Sequence, residues 1–194
     1  MWRGLQVVTK PSKRPLDIAF LKKHARVDDD DSDQQLLKYI ESAIAEIDGP
    51  HGIGFALMTQ TWRKTMDSFP CTILLPGAPV KSITSVKYID IDGVEQAVNA
   101  SDYRVDLSRE PVPISPAFNL SWPGTQDVTG AVWVDYVLGE STADAVPADL
   151  IVALSMLAAS RYEFRELHAD SRIGELPRGV ADTLQRYRRN LVDC

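Results

Sequence analysis

Apolar and polar residues change period twice along the chain, and the two changes divide it into three stretches. Leu36, Leu37, Ile40, Ala43, Ile44 and Ile47 recur at the spacing of one helical face. A shorter helix is predicted before them, from Ile18 to about Ala25, with Asp17 as its N-cap and a hydrophobic staple between Leu16 and Leu21. Gly49-Pro50 stops the second helix. From about residue 55 to 139 the pattern shifts to alternation, with runs rich in Val, Ile, Thr, Trp and Tyr punctuated by Gly, Pro and Asp. Strands are predicted over 59–67, 72–75, 83–91, 94–98, 103–107 and 131–138, with Asp92-Gly93 as a hairpin turn. Prolines at 111, 113, 116 and 123 predict a long irregular connection before the last strand.

Helical character returns at Pro147, a residue suited to a first turn. From Leu150 to Ala159 the helix is apolar almost all round, which places it at the centre of a core or in an interface between subunits. A last helix over about 178–192 puts Val180, Leu184, Tyr187 and Leu191 on one stripe, with Arg178, Asp182, Arg186 and Arg189 opposite. The expected fold is α+β in a single domain over 1–194. Two N-terminal and two C-terminal helices, over about 15–48 and 147–192, form a small bundle with a β-rich insertion, about 55–139, between them.

The aspartates of VDDDDSDQQLL, residues 27–37, offer a test for a metal. A calcium loop needs Gly at its sixth position and Glu at its twelfth. Counting from Asp29 places Gln34 and Ile40 there, and counting from Asp28 places Asp33 and Tyr39. Both registers fail. Ser32 with Gln35 three residues on reads as a capping box, and the carboxylates lie at the positive end of the helix dipole.

Composition narrows the function. Among 194 residues, 44% are hydrophobic and 25% charged, the range of a globular domain that folds without metals or disulfides. A net charge of −6 argues against a protein that grips nucleic acid through clustered Lys and Arg. The two cysteines, Cys71 and Cys194, form no framework, and a reducing cytoplasm is the expected compartment. Residues 1–15 lack the continuous apolar core of a signal peptide, and the apolar run 150–159 is half of what a membrane span needs. His24, His51 and His168 fit no ligand spacing, and no nucleophile elbow or phosphate loop is present. No catalytic, cofactor or metal residue is assigned. Trp62, Trp122 and Trp133 lie in strand-like runs without interleaved basic residues, the pattern of core rather than of a stacking platform.

A set of local patterns, taken in order, resembles one family. The first runs from Leu16 to Leu37 and contains Arg26-Val27-Asp28, Asp30 and Asp33. Thr59-Gln60-Thr61-Trp62 is followed by Leu74-Leu75-Pro76 and Pro79-Val80, and Tyr88-Ile89-Asp90 runs into Asp92-Gly93. Trp122-Pro123, Val134-Asp135-Tyr136 and Val146-Pro147 complete the set. The chain resembles the head-to-tail adaptor, or connector, proteins of tailed double-stranded DNA bacteriophages, often described as DNA-packaging proteins. The resemblance spans nearly the whole chain and falls on turns, strand cores and helix entries, so it carries over no catalytic residue.

The family implies a structural virion protein assembled in the host cytoplasm, a dodecameric ring beneath the portal, and a tail-completion or stopper protein on the other side. DNA passes through such a ring without specific binding, and no membrane is involved. Arg178, Arg186 and Arg189 form the expected portal-docking face, since C-terminal segments of similar adaptors dock there. A solvated face with Asp182 paired to Arg178 and Arg186 is the competing account. Two other functional classes stay open at this point: a small cell-wall glycan hydrolase using a carboxylate pair, and a packaging-associated nucleic-acid binder.

Overall fold

The computed structural model describes residues 4–28, 32–163 and 178–189. Among these, four helices and eight strands form an α+β fold in which most strands lie between the N-terminal and C-terminal helices. In chain order the elements are β1 (Leu5–Thr9), α1 (Ile18–Ala25), α2 (Asp33–Ile47), β2 (Gln60–Met66), β3 (Ile73–Leu75), β4 (Val80–Ile89), β5 (Glu95–Ala97), β6 (Tyr103–Val105), β7 (Val112–Pro116), β8 (Val132–Leu138), α3 (Ala148–Glu163) and α4 (Arg178–Tyr187).

The helices pack around one apolar cluster. Leu16 and Leu21 are both buried in it, as a staple requires, and the Asp17 carboxylate accepts from the Ala19 N–H at 3.3 Å. Leu36, Ile40, Ala43 and Ile47 of α2 meet Leu150, Ala153, Leu154, Leu157 and Ala158 of α3. The almost uniformly apolar α3 is thus the central helix of its own subunit. Only a narrow strip with Val152 and Met156 reaches solvent. Val180 and Leu184 of α4 close the cluster, and Leu191 lies outside the described residues.

Two antiparallel sheets build the rest. The larger has the order β1-β2-β8-β4-β5 and the smaller β3-β7-β6. Ile73, Leu75, Val112 and Ile114 of the small sheet share a second core with Trp62, Val86, Val134, Tyr136 and Leu138 of the large one. β8 is the spine, with alternate residues Val132, Val134, Tyr136 and Leu138 fully buried. The Tyr136 hydroxyl donates to the Pro76 carbonyl at 2.8 Å, and burial holds it well above the usual phenol pKa.

Three expectations are corrected. Residues 5–9, for which the sequence predicts no element, form edge strand β1 because Val7 can lie opposite the buried Trp62 of β2. The connection expected to be irregular contains β7, the centre of the small sheet. Its prolines are tolerated because β3 and β6 span only three residues each, so few ladder bonds are lost. The Pro113 carbonyl still accepts, from Asp106 N–H at 3.2 Å. Finally, α2 starts where the acidic run predicts, but Ser32 sits in a helical conformation and makes no side-chain cap bond. Gln35 Nε2 donates to the Tyr39 hydroxyl at 3.1 Å instead of reaching back, so there is no capping box. Asp33 in the first turn binds Lys22 Nζ of α1 at 2.8 Å. Asp29–Asp31 lie outside the described residues.

Candidate functional site

Arg186 of α4 lies beside the start of α3, and Arg189, just past the helix, lies beside Ile53, Phe55 and Glu110. Arg186 is exposed, and its guanidinium donates to Asp149 Oδ2 and Thr183 Oγ1, each at 3.2 Å, rather than to Asp182. Asp149, in the first turn of α3, also accepts from the Tyr187 hydroxyl at 2.8 Å, and this bond raises the Tyr187 pKa. Arg189 follows α4. Its backbone N–H donates to Ile53 O at 2.8 Å, its guanidinium lies 6.0 Å from the centre of the Phe55 ring, and its Nε is 2.8 Å from Glu110 Oε2. Arg178 opens the helix, and its side chain lies outside the described residues. Arg186 and Arg189 are therefore each held by contacts within the subunit. Their partners, Asp149 and Glu110, come from sequence positions 37 and 79 residues or more away and carry no local signal.

A polar chain joins the helical part to the large sheet. Asp48, at the C-cap of α2, accepts from Leu57 N–H at 2.7 Å and from Gln60 Nε2 at 3.1 and 3.0 Å. Gln60 Oε1 accepts from the fully buried Trp62 Nε1 at 2.8 Å. Desolvation raises the Asp48 pKa against the lowering effect of those donors. Sequence reading placed Trp62 in the core but missed this chain, whose only signal is a Gln at the start of a strand two residues before a Trp.

Asp48 and Gln60 also line a groove of about 900 Å3 between residues 10–18 and the last turn of α2. Leu37, Ile44, Leu57 and Met58 give it an apolar floor, with Lys10, Lys13 and Arg14 on the rim. Arg14 is bound to Glu41 at 2.8 Å, and Lys38 and Arg14 together hold the Glu41 carboxyl below its usual range. The groove brings together no nucleophile and base at bonding distance. Among the described residues no three His, Cys, Asp or Glu converge as metal ligands, and His24 and His51 stand apart on the surface. His168 lies outside the described residues. No described helix is long and apolar enough to cross a membrane.

Trp122 and Trp133 are half-buried. Trp122 stacks on Phe69 at 4.8 Å with 7° between the planes, and the Arg63 guanidinium lies 5.8 Å from the Trp133 ring while binding Asp135 through two bonds of 2.7 and 2.8 Å. Both rings are committed to contacts within the subunit.

No family model matches the sequence, and no curated protein matches it. Among solved structures, the chain matches one in the neck of an empty gene transfer agent particle determined with C6 symmetry. The identity is 30%, the TM-score 0.74, and the match covers 97% of this chain and 96% of that one. The chain belongs to the family of that neck protein. A second neck-family match, from the native gene transfer agent particle determined with C12 symmetry, has the same identity and coverage with a TM-score of 0.72. A third comes from the virion of the native particle, also at 30% identity and 0.72. Each match covers nearly the whole of both chains.

Proposed function

We propose that this chain is a structural protein of the neck of a tailed, phage-like particle: a head-to-tail adaptor that assembles as a ring below the portal and continues the DNA channel towards the tail. The observation that carries the reading is the end-to-end match, at 30% identity, to proteins in gene transfer agent necks determined with sixfold and twelvefold symmetry. The reading assigns the chain no catalytic step. Its partners are further copies of itself, the portal ring on one side and a tail-completion or stopper protein on the other, and its place is the virion. A net charge of −6 suits a passage through which DNA must slide without adhering.

Arg178, Arg186 and Arg189 remain the proposed portal-docking face. Arg186 supports this, being exposed with only 3.2 Å contacts that an acidic partner can replace. Arg189 is the anchor that holds the end of α4 in place for it. The test is deletion of the gene during particle production. The expected result is DNA-filled heads and separate tails, restored to joined particles by the gene in trans. Normal joined particles without the protein would overturn the proposal.

A further inference from the structure

Among the described residues the large sheet leaves two stretches of edge unpartnered, β1 and part of β4, and its register places them at the same level. Gln6 of β1 lies opposite Arg63, Arg63 opposite Asp135, and Asp135 opposite Ser85 of β4. Val7 leads in the same way through Trp62 and Tyr136 to Ile83, and Thr9 through Thr61 and Val137 to Ser82. The outer edge of β4 is covered by β5 only at Lys87–Ile89, with one further bond from Val98 N–H to Val86 O. Along Val80–Ser85 it meets no strand among the described residues. The level at which β1 ends the sheet on one side is the level at which β4 is left open on the other.

Strand direction fits as well. Each of the three pairings from β1 to β4 is antiparallel, so β1 and β4 run in opposite directions. The β1 of one copy can therefore lie antiparallel against the β4 of the next. The order β1-β2-β8-β4 then repeats from copy to copy with no reversal and no slip along the strands. A head-to-tail contact without translation along the strands is compatible with a closed ring when the rotation between copies divides the full turn.

The free groups on β1 can be assigned. Thr65 N–H donates to Gly4 O at 2.6 Å. In an antiparallel ladder alternate residues exchange bonds with the partner, so Gly4 and Gln6 face β2 while Leu5 and Val7 direct their N–H and C=O outward. Leu5–Thr9 contains no Pro, Gly or charge, Val8 is 49% exposed, and the one irregularity, a register shift between Val7 and Thr9, falls after the outward-facing Leu5 and Val7. Across from it, Lys81 is the lone charge in Val80–Ser85, and its ammonium is held by Glu140 at 2.9 Å. The two irregularities in β4, between Val80 and Ser82 and between Ile83 and Ser85, bend that edge without adding a charge that would repel Gln6–Thr9.

We infer that the occupant of the β4 edge at Val80–Ser85 is β1 of a neighbouring copy, so that the large sheets join into one continuous sheet around the ring. This rests on the ring reading proposed above.

Two variants of the full-length chain test it. Val7→Pro removes an outward N–H and leaves the bonds to β2 in place, so the folded subunit is expected to keep its circular dichroism while losing ring assembly. Gln6→Cys with Ser85→Cys, in a Cys71→Ser, Cys194→Ser background, places thiols at one level on the two edges. Mild oxidation of assembled rings is expected to give a ladder of linked subunits that neither single cysteine gives. If Val7→Pro forms rings of wild-type size, or the cysteine pair in intact rings yields only monomer, the edge pairing is wrong and the ring stands. If Val7→Pro does not fold, the cysteine pair alone decides. If the wild-type chain forms no ring, free or in particles, the ring reading fails and the inference with it.

Discussion

Gln60 donates both to Asp48, through Nε2 at 3.1 and 3.0 Å, and accepts from Trp62 at 2.8 Å, so its amide orientation is fixed from either end. A carboxylate only accepts and an indole N–H only donates, which leaves Gln60 a single way round. The chain ties the end of α2 to the first residues of β2, where the helical cluster meets the sheet core.

Gln60→Leu would strand a buried indole N–H and remove a donor from a desolvated carboxylate. Each loss costs about 1–3 kcal/mol, so a destabilisation of about 3 kcal/mol is expected in urea unfolding. Combined with Trp62→Phe, which removes the stranded N–H, the two costs should fall short of their sum. Simple additivity would show that the three groups do not act as a chain.

Asp48 has its pKa raised by burial. Stability contributed by such a group is complete below the unfolded carboxyl pKa and is lost as pH rises through the raised folded value. Glu41, Asp90 and Asp106, whose pKa values are lowered, give the opposite slope. The informative quantity is therefore the difference between wild type and Asp48→Asn. The variant should be less stable throughout, through its lost acceptor, with the gap narrowing from acid to neutral pH. Parallel curves would show that Asp48 is not strained by burial.

Gly77 separates clash from backbone strain. Its φ is +89°, and a Cβ there would meet Trp62 Cζ3 at 2.4 Å and Leu138 Cδ1 at 2.9 Å. Gly49, at φ +82°, has open space around the same position. Gly49→Ala should cost about 1 kcal/mol through the left-handed conformation alone. Gly77→Ala should cost about 3 kcal/mol, because overpacking adds to it. Equal losses in thermal unfolding would mean that the Trp62 ring yields without penalty.

On the arginine face, Arg186→Glu with Arg189→Glu sets new carboxylates beside Asp149 and Glu110. The pairs are partly exposed, so the folding cost is expected to be about 1–2 kcal/mol. Loss of portal-ring binding well beyond that cost is the expected outcome. Wild-type affinity and salt dependence in a pull-down on portal rings would remove these residues from the docking face.

The elements whose stability is local were legible in the sequence. α1 and α2 follow from an N-cap, a staple and one apolar stripe, and β8 from strict alternation between Val132 and Leu138. What was not legible depends on distant partners. Five residues of β1 become a strand only because β2, more than fifty positions on, offers Trp62 opposite Val7. β7 carries two prolines that argue against a central strand until its neighbours prove to be three residues long. Ser32 had the spacing of a capping box, but Gln35 found the Tyr39 hydroxyl instead. The arginine stripe was visible as a face, while its acceptors, Asp149 and Glu110, were not.

The central claim is a ring of this chain in the particle neck. A cryo-electron microscopy reconstruction of purified particles, with the neck refined without imposed symmetry, tests it most directly. The account predicts copies of this fold in a closed ring on the particle axis between portal and tail, with rotational order matching the C12 symmetry of the related neck. Particles whose neck lacks this fold, or that carry the chain as isolated copies away from the axis, would contradict it.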